Sequence, residues 1–454
     1  MGERSFSEVK GSTMTTRKHF KQLVRARMQK TGESYSSARR QVLGNTLPDK
    51  PKHSLPWHFP GSVPGATALR VLLTHAGLLD PGTGKPFSEA MAFGIAGGIG
   101  IGVFSFFYEK EGWANFFITG RHLWHDHQAY LSQACARLGI KPIIRETAGA
   151  KTAESDLRKT LQENGACIAW VDASHLPHRA IPGQMSGGGY HIVTVYGIDE
   201  DAGTARIGDL TDEPIAIPLT DLALARSRIK KDKHRLLCIT APKNSVDLAS
   251  LVRGGLQACH GGLAGVGGVK SAAKNFSLEA LRTWADRLHG SKDNERWERV
   301  FERGPRLWQG LQGVYEYIEH YGGGGLCRPL FAEFLAEAGT ACKDTRLTAL
   351  STRYVELGRG WSELAEAALP DHVEAFREAK DLFARKAELT NSGGSPDEIR
   401  EIWSRLSELR SQVCQQFPLT ESECAELRAT LQRRVRALYE VEVAARDEMA
   451  QVIA

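Results

Sequence analysis

The feature that most constrains the fold is a change in the spacing of apolar residues near position 245. Before this position, short apolar and β-branched segments alternate with turn residues, which is the pattern of strands. These segments are residues 167–172, 191–197, 204–208, 215–217 and 236–240. After Ser277 apolar residues recur at helical spacing, as in Leu281, Trp284 and Leu288. This order predicts an α+β domain with an antiparallel sheet, followed by an all-α domain.

The first 53 residues differ from the rest of the chain in charge. They contain 12 Lys+Arg and 4 Asp+Glu, a net charge of +8 that leaves −3 for the remainder. Phe20, Leu23 and Met28 lie at helical spacing, and a proline-rich linker follows at 48–64. We therefore predict a basic helical segment and linker over 1–53, an α+β domain over 54–245 and a helical domain over 246–454. The basic segment has the charge to contact nucleic acid, acidic lipid or an acidic carrier protein, or to remain solvated.

Membrane insertion and secretion are both disfavoured. Residues 90–108 carry no charge but include five glycines, which indicates a buried helix-to-loop-to-strand passage rather than a membrane span. The N-terminal residues lack the apolar core of a signal peptide. Eight cysteines lie far apart with no CxxC pair, which argues against a zinc ribbon and a disulfide-stapled module. We expect a cytoplasmic protein with reduced thiols.

One histidine and one aspartate form the strongest candidate site. His191 opens a predicted strand, and Asp209 closes the next one, 18 residues later. Adjacent antiparallel strands would bring the two side chains together at one end of the sheet. The carboxylate would then fix the imidazole tautomer, which is the base–orienter half of a nucleophilic triad. A strand-edge histidine and a turn aspartate with no common role are the structural alternative.

Two further patterns bear on metal and cofactor binding. His122, His125 and Asp126 would share one face of a predicted helix, as metal ligands do, but no distant further ligand is identifiable and solvated helix surface is the alternative. The glycine run 94–102 does not match the GxGxxG fingerprint of a dinucleotide-binding turn. It indicates backbone close to a cleft or a tight core crossing. We predict neither a metal nor a cofactor.

Several stretches of the sequence resemble the butirosin biosynthesis protein H family. In the first domain they are residues 67–77, 88–100 and the pair of strands from His191 to Asp209. In the second they are residues 275–288, 322–331 and 364–370, which resemble the helical domain of unknown function that often follows. The resemblance implies a papain-like, peptidase C39-like first domain. It also implies transfer of an acyl or aminoacyl group from a carrier-protein thioester to an amine, through a Cys–His–Asp set.

The sequence departs from that family pattern at the nucleophile. The family's cysteine is expected in a Gly-x-His-Cys context, but residues 61–66 read Gly-Ser-Val-Pro-Gly-Ala, so Pro64 stands where the thiol would be. Proline has neither a nucleophile nor a backbone donor. The nearest hydroxyls belong to Ser62 and Thr67, and Cys135 and Cys167 are the cysteines weighed as replacements.

These observations leave three hypotheses. The leading one is an acyltransferase of a bacterial secondary-metabolite pathway in which His191 deprotonates the amine directly, with no acyl-enzyme. Its partners would be a carrier-protein or other thioester donor and an amine-bearing small molecule or peptide, with neither membrane nor nucleic acid involved. The rivals are a catalytically inactive binding protein that uses the same cleft, and a hydrolase or peptidase. Candidate substrate-binding residues are Ser62, Thr67, Gly97 and Gly98, and the helices past residue 395 are amphipathic enough to form a homo-oligomer.

Overall fold

The computed structural model describes residues 57–110, 112–240 and 247–454, together with six positions nearer the N-terminus. Those six are helical: Leu23, Ala26, Arg27, Lys30, Ala38 and Val42. The rest of the predicted basic segment and most of the proline-rich linker lie outside the described residues, as does the predicted boundary at 245. Over the described residues the protein has an α+β architecture in which antiparallel sheets come first and helices follow.

From residue 57 onward, the first elements are two helices in contact, a β-hairpin and a third helix. The elements are α1 (Pro64–His75), α2 (Glu89–Ile95), β1 (Ile99–Tyr108), β2 (Trp113–Arg121) and α3 (His127–Arg137). The helix-to-loop-to-strand passage predicted for residues 90–108 is confirmed by α2 and β1. The sequence did not predict β2, which pairs antiparallel with β1 well before the strands from residue 167 onward. The sequence of β2 has two adjacent phenylalanines between an asparagine and an Ile-Thr-Gly stretch, so it lacks the regular alternation of the later strands.

The second sheet has six antiparallel strands, in the order β3-β8-β4-β5-β6-β7 among the described residues. The elements, in chain order, are β3 (Ile143–Arg145), α4 (Ala150–Asn164), β4 (Cys167–Asp172), β5 (Tyr190–Asp199), β6 (Thr204–Gly208), β7 (Ile215–Pro218), α5 (Leu219–Ser227) and β8 (Leu236–Cys238). The five strands predicted from residue 167 onward correspond to β4, β5, β6, β7 and β8. Helix α1 packs against β5, so its N-terminus lies close to the end of β6.

The remaining described residues are helical, as the spacing of apolar residues predicted. The helices, in chain order, are α6 (Leu248–Leu263), α7 (Glu279–Leu288), α8 (Trp297–Val300), α9 (Pro305–Glu319), α10 (Arg328–Cys342), α11 (Thr345–Ala368), α12 (Glu374–Ser392), α13 (Pro396–Gln415) and α14 (Glu421–Ile453). One continuous apolar core joins α1, the β-hairpin and these helices. None of the helices among the described residues combines the length and the apolarity that crossing a bilayer requires.

A buried ion pair ties the β-hairpin to the last helix. Arg328 and Glu442 have no exposed side-chain surface, and Arg328 Nε donates to Glu442 Oε1 at 2.7 Å. Arg328 Nη1 also donates to the carbonyl oxygens of Gly100 in β1 (3.3 Å) and Gly120 in β2 (3.2 Å). The buried loop before Arg328 has six consecutive residues with positive φ, 322–327, which explains its four glycines.

Candidate functional site

The sheet brings His191 and Asp209 together by local geometry. His191 is the second residue of β5, Asp209 directly follows β6, and the two strands pair antiparallel across the turn at 200–203. His191 Nε2 lies 2.9 Å from Asp209 Oδ1. The predicted contact between these two residues is therefore present.

Asp209 is surrounded by donors that sequence reasoning did not identify. His178 Nε2 lies 2.9 Å from Oδ2, and the backbone N–H of Leu210 donates to Oδ1 at 2.8 Å. Arg179 binds both oxygens, with Nε 2.7 Å from Oδ2 and Nη2 2.8 Å from Oδ1. Burial by itself would raise the pKa of Asp209, but Arg179 and His191 reverse this and hold the pKa well below its usual value. Asp209 is thus an ionised carboxylate that holds three side chains in fixed positions.

Arg179 also sets the electrostatics of His191. Its Nη2 lies 3.0 Å from His191 Nε2, the same nitrogen that faces Asp209. Burial lowers the pKa of His191, and the adjacent guanidinium lowers it further, against the opposing effect of Asp209. The imidazole is therefore neutral at neutral pH, which a general base requires. In the tautomer that donates Nε2–H to Asp209, Arg179 acts on the ring through its charge and not through a hydrogen bond. The lone pair of this tautomer is on Nδ1, which makes no hydrogen bond to a described residue.

A cavity of about 200 Å³ lies beside His191. Trp124, Trp170 and Tyr190 supply aromatic walls, and Lys231 lies over the Tyr190 ring, with Nζ 4.1 Å from the ring centroid. The other lining residues are His125, Asp126, His127, Gln128, Asp232 and Arg235. The volume accommodates part of a small ligand, and the lining is mainly polar, with eight polar or ionisable side chains beside the three aromatic ones.

Pro64 occupies the first turn of α1 close to Asp209. Pro64, Thr67 and Asp209 line a cavity of only about 10 Å³, room for about one water molecule. No thiol or hydroxyl of a described residue hydrogen-bonds to His191, whose polar contacts are Asp209 and Arg179. The described residues therefore hold the base and its orienting carboxylate without a nucleophile in contact with the base. Cys135 and Cys167, weighed as replacements, are both buried.

Ser62 and Thr67 are bound to one carboxylate, that of Glu89. Glu89 Oε1 accepts from the backbone N–H groups of Ser62 (2.7 Å) and Val63 (2.8 Å). It also accepts from the hydroxyls of Thr67 (3.1 Å) and Ser62 (3.2 Å). This arrangement satisfies donors at the N-terminus of α1, where a negative charge is stabilising. The structure thus places both predicted substrate-binding hydroxyls in a capping network.

Gly97 and Gly98 lie at the tight corner between α2 and β1. A Cβ on Gly97 would come within 2.6 Å of Ala258 Cβ, and one on Gly98 within 2.5 Å of the Phe93 ring. Gly97 has a φ of +84°, which L side chains rarely adopt. Close packing accounts for both glycines, and neither lines the cavity next to His191.

The prediction that His122, His125 and Asp126 lie on a helix is wrong. Those residues form turns after β2, and α3 begins only at His127, with Asp126 accepting from the Ala129 N–H at 2.9 Å as its N-cap. The N-cap preference of aspartate outweighs the helical spacing of the histidines. Among the described residues, no group of three or more His, Cys, Asp and Glu side chains is placed to hold a metal ion.

His178 and Arg179 are the site residues that the sequence did not reveal. They lie on a short turn, Pro177–Arg179, within the long connection from β4 to β5. This connection has no strand or helix periodicity to indicate which side chains face the sheet. The available signal is local: a proline followed by two basic residues, in a loop that must pass over the end of β5 and β6.

Two family models match consecutive parts of the chain. Residues 64–210 match the family model described as butirosin biosynthesis protein H, N-terminal. Residues 220–392 match a domain of unknown function, DUF4872. The two matches cover residues 64–392 apart from nine positions, and the first includes Pro64, His191 and Asp209. No curated protein sequence matches the chain.

Proposed function

From the match of residues 64–210 to the N-terminal model of the butirosin biosynthesis protein H family, we propose that the chain is an acyltransferase of a bacterial antibiotic-type pathway. The donor is a carrier-protein thioester, and the acceptor is a primary amine on a small molecule or peptide. We interpret the first domain as papain-like. The observation that carries the proposal is a neutral His191, oriented by Asp209 at 2.9 Å, that borders a cavity and keeps Nδ1 free of hydrogen bonds.

The transfer proceeds without an acyl-enzyme. The amine nitrogen attacks the thioester carbonyl carbon, and the proton of the amine passes to His191 Nδ1. When the tetrahedral intermediate collapses, the carbon–sulfur bond breaks and the thiolate leaves. The proton on Nδ1 then passes to the thiolate, which restores neutral His191 and gives an amide and a thiol. Pro64 is compatible with this route, because its missing nucleophile is not needed.

Arg179 does not line the cavity and contacts Nε2 of His191, so it would contribute through the charge it places beside the base and not by contact with the oxyanion. Two of its nitrogens, Nε and Nη2, are held by Asp209, whereas Nη1 makes no hydrogen bond to a described residue. A guanidinium fixed beside His191 presents positive charge without reorganising during the reaction. The same charge keeps His191 neutral before the amine arrives.

Basic side chains near the cavity supply the charge that an acidic donor needs. Arg228, Lys230, Lys231 and Lys233 are exposed on the segment between α5 and β8, and Lys231 lines the cavity. Positive charge of this kind raises the association rate of an acidic partner and weakens with salt. We therefore place the donor on this side of the cavity.

The alternative is a catalytically inactive binding protein. Two observations favour it: Pro64 replaces the expected nucleophile, and Asp209 is saturated by five donor contacts that include the Arg179 ion pair. A bidentate ion pair between Arg179 and Asp209 stabilises the fold by itself, so its presence does not require a catalytic role.

Substitution of the two histidines that share Asp209 separates these functions. His191→Gln removes the base but keeps an amide donor for the carboxylate. His178→Gln is the matched control, since His178 makes the equivalent contact with Oδ2 but its Nδ1 is buried without a partner. Release of thiol and formation of amide are followed with acyl thioesters of N-acetylcysteamine and a panel of primary amines that includes an aminoglycoside.

Direct transfer predicts that His191→Gln lowers turnover by about 10²–10⁴-fold with donor binding retained, whereas His178→Gln has a much smaller effect. Equal losses for both variants would indicate a structural role for the pair. No turnover by the unmodified protein, with donor binding unaffected by either substitution, would support the binding protein.

A further inference from the structure

The β-hairpin exposes one aromatic face. Its inner face packs into the core through residues such as Phe116 and Ile118. On the outer face, Phe106, Tyr108 and Trp113 are 40%, 47% and 39% exposed. We call the outer residues Phe104, Phe106, Tyr108, Trp113 and Phe117 the aromatic strip. Exposed apolar patches rimmed by polar residues mark binding sites more often than bare surface.

Trp124 links the aromatic strip to the cavity beside His191. Phe104 and Phe106 stack with a 3° interplanar angle, and Phe104 lies opposite Phe117 in the strand register. Both Phe104 and Phe117 contact Trp124, with ring centroids 5.8 and 4.6 Å away. Trp124 in turn lines the cavity. A ligand that leaves the cavity past Trp124 therefore meets apolar surface along residues 104–108 of β1.

We propose that the aromatic strip binds an extended apolar acyl group whose thioester carbon lies beside His191. This inference rests on the proposed function for the identity of the reacting group. From residue 104 to residue 108 the strand rises about 13 Å, long enough for a medium-length chain and too short for a helix of a partner protein to bury a standard interface. The strip carries no Asp, Glu, Lys or Arg side chain, so it offers nothing to a charged acyl group or to an acidic protein surface.

The proposal predicts a dependence of affinity on chain length. Burial of each methylene group contributes about 0.8 kcal/mol, and about 1.4 kcal/mol corresponds to a tenfold change in affinity. Two added methylenes should therefore tighten binding about tenfold, as long as they still lie on the strip. Methylenes beyond the end of the strip add nothing, so the increase stops at a defined length.

The test uses S-alkyl thioethers of N-acetylcysteamine with two to twelve alkyl carbons, which cannot be cleaved. Their dissociation constants are measured by calorimetry with the full chain. Phe106→Ser shortens the strip without touching the cavity, and Val355→Ser, at an exposed valine of α11 that is 47% exposed, is the matched control.

Affinity is expected to rise with length in the unmodified protein and in Val355→Ser. In Phe106→Ser the affinity for short chains should rise as it does in the unmodified protein. The increase should stop at a chain at least two carbons shorter. Affinity independent of length, or identical series for Phe106→Ser and the control, would overturn the proposal. So would sedimentation velocity showing a dimer that Phe106→Ser dissociates, since a second copy would then cover the strip.

Failure of this inference is distinguishable from failure of the proposed function. Turnover that depends on His191 but not on acyl length would leave the proposed function standing and remove the role of the aromatic strip. Length-dependent binding without any turnover would support the role of the aromatic strip and contradict the proposed transfer.

Discussion

Removal of the Arg328 charge should destabilise the fold more than any other single charge deletion in its helical part. Arg328 and Glu442 are fully buried, and Arg328→Met would leave Glu442 with only the Trp361 Nε1–H, at 2.7 Å, as its donor. Glu442 Oε2 already lacks a partner. An uncompensated buried carboxylate of this kind costs about 3–5 kcal/mol. That is a large part of the roughly 5–15 kcal/mol by which domains are stable.

The assay is urea unfolding followed by tryptophan fluorescence, with Arg328→Met, Glu442→Leu and the double variant compared. The double variant should recover at least half of the loss, because it leaves no unpaired buried charge. Hydrogen exchange should also show lower protection of β1 and β2 in Arg328→Met, since Gly100 and Gly120 lose a donor to their carbonyl oxygens. A loss below about 1 kcal/mol, or additive losses in the double variant, would refute the reasoning.

Three further substitutions test separate parts of the structure. Burial lowers the pKa of His122 to about 4, so the unfolded chain takes up a proton below pH 6.5 that the folded chain does not, and stability is lost as pH falls from 6.5 towards 4. His122→Phe should therefore reduce the loss of unfolding free energy between pH 7.5 and 5.5 by about 1 kcal/mol, and parallel pH curves in urea titrations would contradict this. Gly94→Ala places a Cβ inside the Phe334 ring and should lower stability by about 1–3 kcal/mol, whereas Gly183→Ala, with open space around it, should change the melting temperature little. Asp209→Asn should cost about 2–3 kcal/mol of unfolding free energy because Arg179, whose side chain is 15% exposed, loses its ionised partner, and a loss under about 1 kcal/mol would show that the carboxylate does not hold the site together.

The sequence predicts two of the four residues of the candidate site, His191 and Asp209, but not His178 or Arg179. His191 and Asp209 are joined by one turn between neighbouring strands, so the strand pattern alone was enough to predict their 2.9 Å contact. Arg179 reaches the same carboxylate from a connection without periodicity, and its position depends on how the 177–179 turn packs over the sheet and against α13. The sequence therefore predicted a histidine–aspartate pair, whereas the structure contains a four-residue cluster around a carboxylate.

Ser62 and Thr67 illustrate the same limit at the N-terminus of α1. As hydroxyls next to Pro64 they were reasonable candidates for substrate contact. Only the packing of α2 against α1 brings Glu89 to both of them, and that packing turns free hydroxyls into donors within a cap.

The sequence by itself determined the order of the elements, the strands from residue 167 onward, the helical second half and the contact between His191 and Asp209. These properties follow from periodicity and turn residues, which act over distances of a few residues to one hairpin. Tertiary structure decided the rest: the charge that Arg179 places beside the base, the aromatic strip that leads to the cavity, and the pairing of Arg328 with Glu442 across 114 positions. No local pattern encodes such contacts, because each depends on which elements pack together once the core has formed.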